Sequence, residues 1–527
     1  MIKKVAIAAA LVLAVLLPAY WNSFGAAFQF DDYNQINENP YIRDIGNVPR
    51  FFTDASIGSD WTEYVGLKGY RPLVYTSFAL NYAIGSYHVR GYHVFNFILH
   101  FLDCLLVFLL VSAVLKAAGR GRRFLPALAV TLLFAAHPIQ TDSVTYISGR
   151  AEMLASFFYI AAFLCFVKYR SGDGRGSMAA GLAAPLLFLL ALLSKEMAVS
   201  LIAVMAAFDL LFTVPKKGGV RASYRIWLYY LLFIAILAGY VLAKQTLQGF
   251  VAESSLPFGV KEYLMSEAKV LLLYVRLLIL PFNQNADYNL PISKSPDALV
   301  AVSAALVCTA LYVLYRARRK APEIAFFGLW FFLALAPEST LVPIPDIAVE
   351  YRLYLPSAGF IAALVLPIAR LSMRGLAPKA AALTITAVVL MAVLTFNRNV
   401  VWSTGVSFWK DAKAKAPWSD RARANLGKAL MDEGRYADAA REIEVYLNNN
   451  HGAQTSYIAL NNLGVCYGQE GLTEKADSAF RAAAMIFPDN PEPYENLAWL
   501  YKKEGRPDKA RDALLEYARV KEKEGGK

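Results

Sequence analysis

Long apolar segments alternate with short polar ones along most of this chain. Apolar stretches of 16 to 20 residues recur from the N-terminus to residue 396 and then stop. Because a helix needs about 20 predominantly apolar residues to cross a bilayer, the pattern predicts a membrane-embedded helical bundle over residues 1–396. Residues 397–419 are predicted to form an amphipathic linker. Residues 420–527 show the shorter amphipathic period of helices in water, so the predicted fold class is all-α throughout.

Eleven membrane spans are predicted, and short basic clusters separate them in pairs. The spans are 3–20, 91–114, 124–136, 150–167, 178–193, 197–213, 225–243, 296–315, 323–337, 353–369 and 380–396. The clusters are Lys3 with Lys4, then Lys116 to Arg123, Lys168 to Arg175, Lys216 to Arg225, Arg316 to Lys320 and Arg370 to Lys379. Lys and Arg mark cytoplasmic loops. This order therefore predicts a multi-pass inner-membrane protein with a cytoplasmic N-terminus and a periplasmic C-terminal region.

Residues 263–281 decide the count of spans. Glu262, Lys269 and Arg276 recur every seven residues and share one face of a helix. An arginine at the centre of a span costs about 2.5–3.5 kcal/mol on insertion scales. We therefore predict a helix that lies in the membrane interface, and with this segment excluded every basic cluster falls on one side.

The overall composition agrees with this picture. Hydrophobic residues make up 57% of the 527 residues, and only 18% are charged. The net charge of +12 does not indicate nucleic acid, because the basic residues lie in the clusters between spans. The four cysteines lie in apolar segments or in the C-terminal region, without the spacing of a disulfide framework or a metal site.

The C-terminal region repeats itself. Asn425-Leu426-Gly427, Asn462-Leu463-Gly464 and Asn496-Leu497-Ala498 align at steps of 37 and 34 residues. A Glu-Gly pair follows each of them, ending at Gly434, Gly471 and Gly505. A period near 34 with small residues at helix crossings is typical of tetratricopeptide repeats. We therefore predict about three repeats over 420–527, either docking an extended peptide or serving only as a cap on the membrane domain.

The first polar loop begins with two adjacent acids, Asp31 and Asp32, directly after the first span. One carboxylate at this position could act as a general base on an acceptor hydroxyl. The pair could also hold a divalent metal, or it could only cap local structure. The pair alone leaves these alternatives open.

Further polar residues lie on or beside the loops that face away from the basic clusters. Arginine offers a planar fork for phosphate oxygens, and four of these loops deliver cations together with carboxylates. His93, Asn96 and His100 share one helical face, where packing contacts compete with a metal site as the explanation. The candidate substrate-binding residues are Arg71, His93, Asn96, His137, Arg150, Glu152, Lys195, Glu196, Glu350, Arg352 and Tyr354. Their convergence predicts a site for a phosphate-bearing substrate embedded in the membrane.

The order of these motifs resembles a known family. FDD, YRPL, H-x-x-N-x-x-x-H, HP-x-x-T-D, GRAE, KE and EYR-x-YLPS follow one another along the chain, and the repeats come last. This order is similar to that of the transmembrane and tetratricopeptide-repeat-containing O-mannosyltransferases and their bacterial relatives. The resemblance covers nearly the whole chain.

The resemblance implies a glycosyltransferase of the GT-C fold. It implies transfer of a sugar from a polyprenyl-phosphate donor, on the non-cytoplasmic face, to a hydroxyl that is a Ser or Thr of a protein. It assigns the base to Asp31, with Asp32 beside it, and the carrier phosphate to Arg71, Arg150, Lys195 and Arg352. It also implies that no metal or other cofactor is required. The eukaryotic members carry many more repeats than this chain, so the role of the repeats stays open.

Three other functions compete with this one. A transferase of the same fold could modify a lipid or a glycan. A non-catalytic membrane scaffold could recruit a partner through the repeats, although it gives no reason for acids and bases on every outward loop. A transporter is disfavoured because no charged residue is expected in the middle of a span: Asp103 and Asp209 are each placed within about two turns of a span end.

Overall fold

The computed structural model describes residues 2–57, 70–172, 175–213, 224–248, 258–339, 343–371, 377–449 and 452–525. Throughout these ranges the regular structure is helical and no strand occurs, which confirms the all-α class. The chain divides into two compact units, the first formed by residues 1–286 and 290–403 and the second by 287–289 and 404–527. Most of the predicted basic cluster from Lys216 onward lies outside the described residues.

The first unit consists of long helices joined by short helical turns. Its principal helices are α1 (Ile2–Tyr20), α2 (Pro72–Gly85), α3 (Val89–Ala117), α4 (Phe124–Ala136), α5 (Arg150–Ser171), α6 (Arg175–Ser194), α7 (Leu201–Phe208), α8 (Tyr224–Gln248), α9 (Val260–Ile279), α10 (Ala298–Ala317), α11 (Pro322–Leu335), α12 (Tyr354–Leu371) and α13 (Ala377–Val401).

Within the described residues, nine helices are long and apolar enough to cross a membrane. A tenth crossing arises if α4 and the segment Pro138–Val144, which meet at a bend of 52°, are taken together. Of the eleven predicted spans, only α11 is missing from this count. It is short, because its 14 residues rise only about 21 Å at 1.5 Å per residue. The amphipathic helix α9 is not among the spans, as its charge pattern predicted.

The short helix α11 nevertheless connects two distinct polar regions of the first unit. At its start, the buried carboxylate of Glu323 accepts hydrogen bonds from Arg120 at 2.9 Å and from Arg370. Directly after its end, Glu338 forms an ion pair with Lys195 at 2.6 Å. Basic residues from two of the predicted clusters therefore meet at one end of α11, and a residue of an outward loop lies at the other.

Aromatic packing places α11 at the centre of the first unit. Phe163 of α5 stacks on Phe326 of α11 with ring centroids 5.5 Å apart. Trp330 is fully buried, and its indole donates a hydrogen bond to the Leu355 carbonyl of α12 at 3.1 Å. Close-packed side chains hold neighbouring helices in fixed positions. The loops at the ends of α5, α11 and α12 are therefore carried by a rigid framework.

The second unit is an array of helix pairs. Its helices are α14 (Gly405–Lys415), α15 (Asp420–Asp432), α16 (Tyr436–Leu447), α17 (Ala453–Gln469), α18 (Thr473–Ile486), α19 (Glu492–Lys503) and α20 (Pro507–Gly525). The repeated glycines Gly434, Gly471 and Gly505 have φ of +73°, +76° and +67°. A residue with a Cβ is disfavoured in this conformation, so the glycines mark the turn inside each helix pair.

Candidate active site

Asp32 is fixed between the first and second polar loops of the membrane unit. Its Oδ1 accepts hydrogen bonds from the backbone N–H and the hydroxyl of Ser148, at 2.8 and 2.6 Å. Its Oδ2 accepts from the Gln29 N–H at 3.0 Å. Burial raises the pKa of Asp32 to about 7, although these hydrogen bonds work in the opposite direction. Because both of its carboxylate oxygens already accept hydrogen bonds, Asp32 serves to connect the two loops.

Asp31 differs from its neighbour because it is only half-buried. The backbone before it is strained, since Phe30 has a φ of +50°, a conformation that is rare for bulky residues. The Asp31 carboxylate faces the phenols of Tyr146 and Tyr351, both of which respond to its charge. Of the acidic pair, Asp31 is thus the one that a substrate can reach.

The end of α13 braces both loops around the acidic pair. The Gln29 amide donates to the Trp402 carbonyl at 3.3 Å. Thr145 donates to the Asn399 side chain at 2.6 Å, and Asn399 donates in turn to the Ala19 carbonyl at 3.0 Å. The sequence reasoning missed these residues. The sequence did contain a signal for them, because an asparagine and a tryptophan lie at the end of an apolar span.

Lys195 is the centre of a buried charge cluster. Its ammonium group forms ion pairs with Glu152 and, at 2.6 Å, with Glu338, and it lies 4.8 Å from the centre of the Tyr351 ring. Burial lowers the pKa of Lys195 to about 8. Burial also works to raise the pKa of Glu338, but Lys195, Arg352 and Arg71 together outweigh it and the pKa falls. Tyr351 therefore lies between the acidic pair and this cluster.

Arg71 adds a second cation to the same region. It lies 3.8 Å from Glu196, which also pairs with Lys244 at 2.6 Å. The Arg71 side chain is 31% exposed. Its Nε is nevertheless buried, and it has no hydrogen-bond partner among the described residues. Arg71 is therefore partly paired and retains an unused donor.

Arg352 is the third cation, and it is almost fully buried. Its guanidinium donates to the carbonyls of Ile347 at 3.1 Å and Asp346 at 2.6 Å, and it lies 4.0 Å from Glu267 of α9. Burial raises the pKa of Glu267 to about 7. The Nε of Arg352 is buried and lacks a partner within the described ranges. Arg71 and Arg352 thus each offer one unused N–H.

Arg150, which was predicted to bind phosphate, is surrounded by uncharged protein groups. It is 0% exposed. It donates to the side chains of Asn96 and Asn81 at 2.7 Å each, and to the Tyr92 carbonyl at 3.0 Å. The rings of Phe78 and Phe95 flank its guanidinium. Through these hydrogen bonds Arg150 connects α5 to α2 and α3. Since most of its N–H groups already donate to uncharged protein groups, few remain for a ligand.

Four other candidates hold backbone in place and do not line an open site. His93 bonds to the Ala26 carbonyl at 2.9 Å, and His137 bonds to the Leu278 carbonyl at 3.2 Å. Asn96 donates to the Val144 carbonyl at 3.2 Å. Glu350 accepts from the Asn285 N–H at 2.7 Å. All four are buried, and their assignment to substrate contact stays a prediction.

Tyr354 is also an interior residue. Its hydroxyl donates to Asp103 at 2.9 Å and lies 2.7 Å from His100 Nδ1. Asp103 is at the middle of α3 and fully buried. The expectation that Asp103 lies within about two turns of a span end was therefore wrong, because it lies 14 residues from either end of α3. A charged residue thus does lie in the middle of a span, so the position of Asp103 no longer disfavours a transporter.

The acid pair and the cation cluster together are suited to general-base chemistry on a substrate with an anionic group. In the described part of the chain, no three His, Cys, Asp or Glu side chains come together as a group that could hold a metal. The expectation that no metal is needed stays a prediction.

Comparison with known sequences identifies the relatives of the chain. A tetratricopeptide-repeat family model matches residues 457–490 and 491–524. Protein O-mannosyl-transferase F38B6.6 of Caenorhabditis elegans is 27% identical over 82% of this chain. Protein O-mannosyl-transferase TMTC3 of Homo sapiens is 23% identical over 91% of it. Human protein O-mannosyl-transferase TMTC2 is 33% identical, but over 37% of this chain and 23% of its own length.

The chain is a homologue of the protein O-mannosyl-transferases. The resemblance inferred from the order of its motifs is thereby confirmed, as are the repeats and the multi-pass membrane character. This chain covers 61% of the length of the nematode relative and 55% of the length of human TMTC3. It therefore corresponds to little more than half of those O-mannosyl-transferases.

Proposed function

We propose that this chain is a membrane glycosyltransferase that moves a sugar from a polyprenyl-phosphate donor to a hydroxyl of a protein. The observation that carries the proposal is the neighbourhood of Tyr351. A half-exposed carboxylate, Asp31, faces one side of it, and the Lys195 ammonium lies against its ring. The names of the relatives support a transferase that acts on proteins and make mannose the first sugar to test.

Asp31 acts as the base. It takes the proton of the acceptor hydroxyl while the hydroxyl oxygen forms a bond to the anomeric carbon of the sugar. The bond between that carbon and the phosphate oxygen breaks, and the phosphate leaves with the electron pair. Displacement in one step inverts the anomeric configuration. Asp32, bonded to Ser148 and Gln29, fixes the backbone that presents Asp31.

Lys195, Arg71 and Arg352 receive the leaving phosphate. Negative charge grows on this group as the bond breaks, so fixed cations stabilise the transition state more than the ground state. The carboxylates of Glu152, Glu196 and Glu338 hold the cations in place while the site is empty. The buried Nε atoms of Arg71 and Arg352 have no partner among the described residues, and they supply hydrogen bonds that a phosphate can accept.

The reaction takes place on the periplasmic face and uses no metal. The loops that carry the acid pair and the cations are those that lie opposite the basic clusters. In this proposal the repeats bind the acceptor protein, because stacked tetratricopeptide repeats present an extended surface to peptides.

The test is transfer by the purified full chain with Asp31→Asn. The substrates are a prenyl-phosphate mannose and a peptide containing Ser and Thr. We expect the variant to keep the lipid donor in native mass spectrometry and to lose transfer by at least about 10²-fold. Full transfer by a well-folded Asp31→Asn variant would contradict the proposal. If the wild-type protein is active only with a lipid or glycan acceptor, the acceptor is not a protein, but Asp31 can still be the base.

A further inference from the structure

Tyr146 is a residue that the reaction described above leaves without a role. It lies in the second polar loop, two positions before the Ser148 that holds Asp32. Its ring is buried and stacks on Trp402, with centroids 5.4 Å apart and an interplanar angle of 28°. The Asn96 amide donates to its carbonyl at 3.4 Å. Both the backbone and the ring of Tyr146 are thus held in place.

The hydroxyl of Tyr146 faces the acidic pair. It is buried and makes no hydrogen bond in the described part of the chain. Asp31 and Asp32 are the carboxylates that act on it, Asp31 the more strongly. Since Asp32 already accepts bonds from Ser148 and Gln29, Asp31 is the natural acceptor for the phenol. A buried hydroxyl left without an acceptor would be costly.

We infer that Tyr146 is a positioning residue, whose hydroxyl donates to the Asp31 carboxylate and fixes its orientation and its charge. The inference rests on the proposed function, in which Asp31 is the base. A hydrogen bond donated to a carboxylate stabilises the ionised form. With the phenol in place, Asp31 stays ionised and ready to accept a proton at lower pH than it would alone.

The groups that face this pair are few and can be separated by the test. Tyr351 and Asp32 face both Tyr146 and Asp31. Arg150 lies within electrostatic reach of Asp32. These groups remain when the hydroxyl of Tyr146 is removed, so a change in pH dependence in that variant reports on the single hydrogen bond.

The experiment compares Tyr146→Phe with the wild-type full chain over pH 5 to 9, using a prenyl-phosphate mannose and a Ser/Thr peptide. Phenylalanine keeps the ring on Trp402. We expect kcat to fall about tenfold at pH 7 with the donor KM unchanged. We also expect the acidic limb of the pH profile to move up by about one pH unit. Placing 3-fluorotyrosine at position 146, a stronger donor, should move that limb down.

Tyr159→Phe is the matched control. Tyr159 is also a fully buried phenol, and its hydroxyl lies 3.1 Å from that of Ser200. Its loss should leave the pH profile unchanged. An unmoved acidic limb in Tyr146→Phe, even with a lower kcat, overturns the inference and leaves the proposed function standing if Asp31→Asn is inactive. Full transfer by Asp31→Asn overturns both.

Discussion

Ser148 binds Asp32 through two hydrogen bonds to the same carboxylate oxygen, at 2.8 Å from its N–H and 2.6 Å from its hydroxyl. The two residues are 116 positions apart in the chain. The second polar loop thereby fixes the first, and Asp31, the less buried acid of the pair, is presented from a rigid backbone. Preorganisation of this kind is what proton abstraction requires of a base.

Asp32 makes the stability of the membrane unit depend on pH. Burial raises its pKa from 3.8 to about 7, so the folded protein holds this proton more tightly than the unfolded chain does. The stabilisation is fully present below about pH 4 and is lost as the pH rises through 7, with a slope of about 1.4 kcal/mol per pH unit. Unfolding in detergent at pH 5, 6.5 and 8 should show this decline.

Asp32→Asn should remove that dependence. The amide keeps the shape of the side chain but cannot titrate, so its stability curve should be flatter between pH 5 and 8. Transfer activity should fall less than in Asp31→Asn. Parallel pH profiles for wild type and variant would show that Asp32 is already ionised in the folded protein.

The carrier phosphate site should depend on two arginines of the outward loops. Arg71→Ala and Arg352→Ala should each weaken binding of a prenyl-phosphate sugar about tenfold or more, because each removes an unused buried donor and a positive charge. Arg352→Lys should recover part of the loss through its charge. Native mass spectrometry at graded lipid concentration measures the effect.

Arg316→Ala is the control for these variants. Arg316 is an exposed residue of a basic cluster, bonded to the Tyr312 hydroxyl at 3.2 Å. Its removal should leave lipid binding unchanged. Equal losses in all three alanine variants would mean that the signals for membrane insertion had been mistaken for a binding site.

Gly149→Ala should disturb the loop that holds the acidic pair. A Cβ at Gly149 would lie 2.6 Å from the Ser143 Cα and 2.7 Å from the Asp142 carbonyl, so the backbone must move. We expect a loss of about 1–3 kcal/mol in stability and a matching loss of transfer as Ser148 shifts. Gly25→Ala should be neutral in melting and transfer assays, because a Cβ at Gly25 would have no described atom within 4 Å.

The sidedness of the membrane unit can be tested with reporters. A reporter inserted at Arg319 should read as cytoplasmic, and one fused after Lys527 as periplasmic. The reason is that α11 and the two spans after it, α12 and α13, together reverse the side three times. If both reporters read on one side, α11 does not cross and the topology derived from the basic clusters is wrong.

Most of the helices could be predicted from the chain because their signals are local. Spans such as α3 and α13 are recognisable from continuous apolar length, and Gly434 and Gly471 mark repeat turns through a conformation that favours glycine. The short length of α11 could not be predicted, and this too has a physical cause. A buried helix surrounded by protein is as apolar as a span, and composition does not reveal that it is only 14 residues long.

The amino-acid sequence by itself determined that this protein is an all-α membrane chain with repeats, which loops carry polar groups, and which family it resembles. Only the tertiary structure decided which of those polar groups hold the fold together and which remain available to a substrate. It enclosed Arg150 among neutral partners and bound Asp32 to Ser148. It left Asp31 accessible beside Tyr146, and it kept donors on Arg71 and Arg352 unused. The physical reason is that hydrogen-bond satisfaction depends on partners far apart in the chain, whereas hydrophobic periodicity is written within each segment.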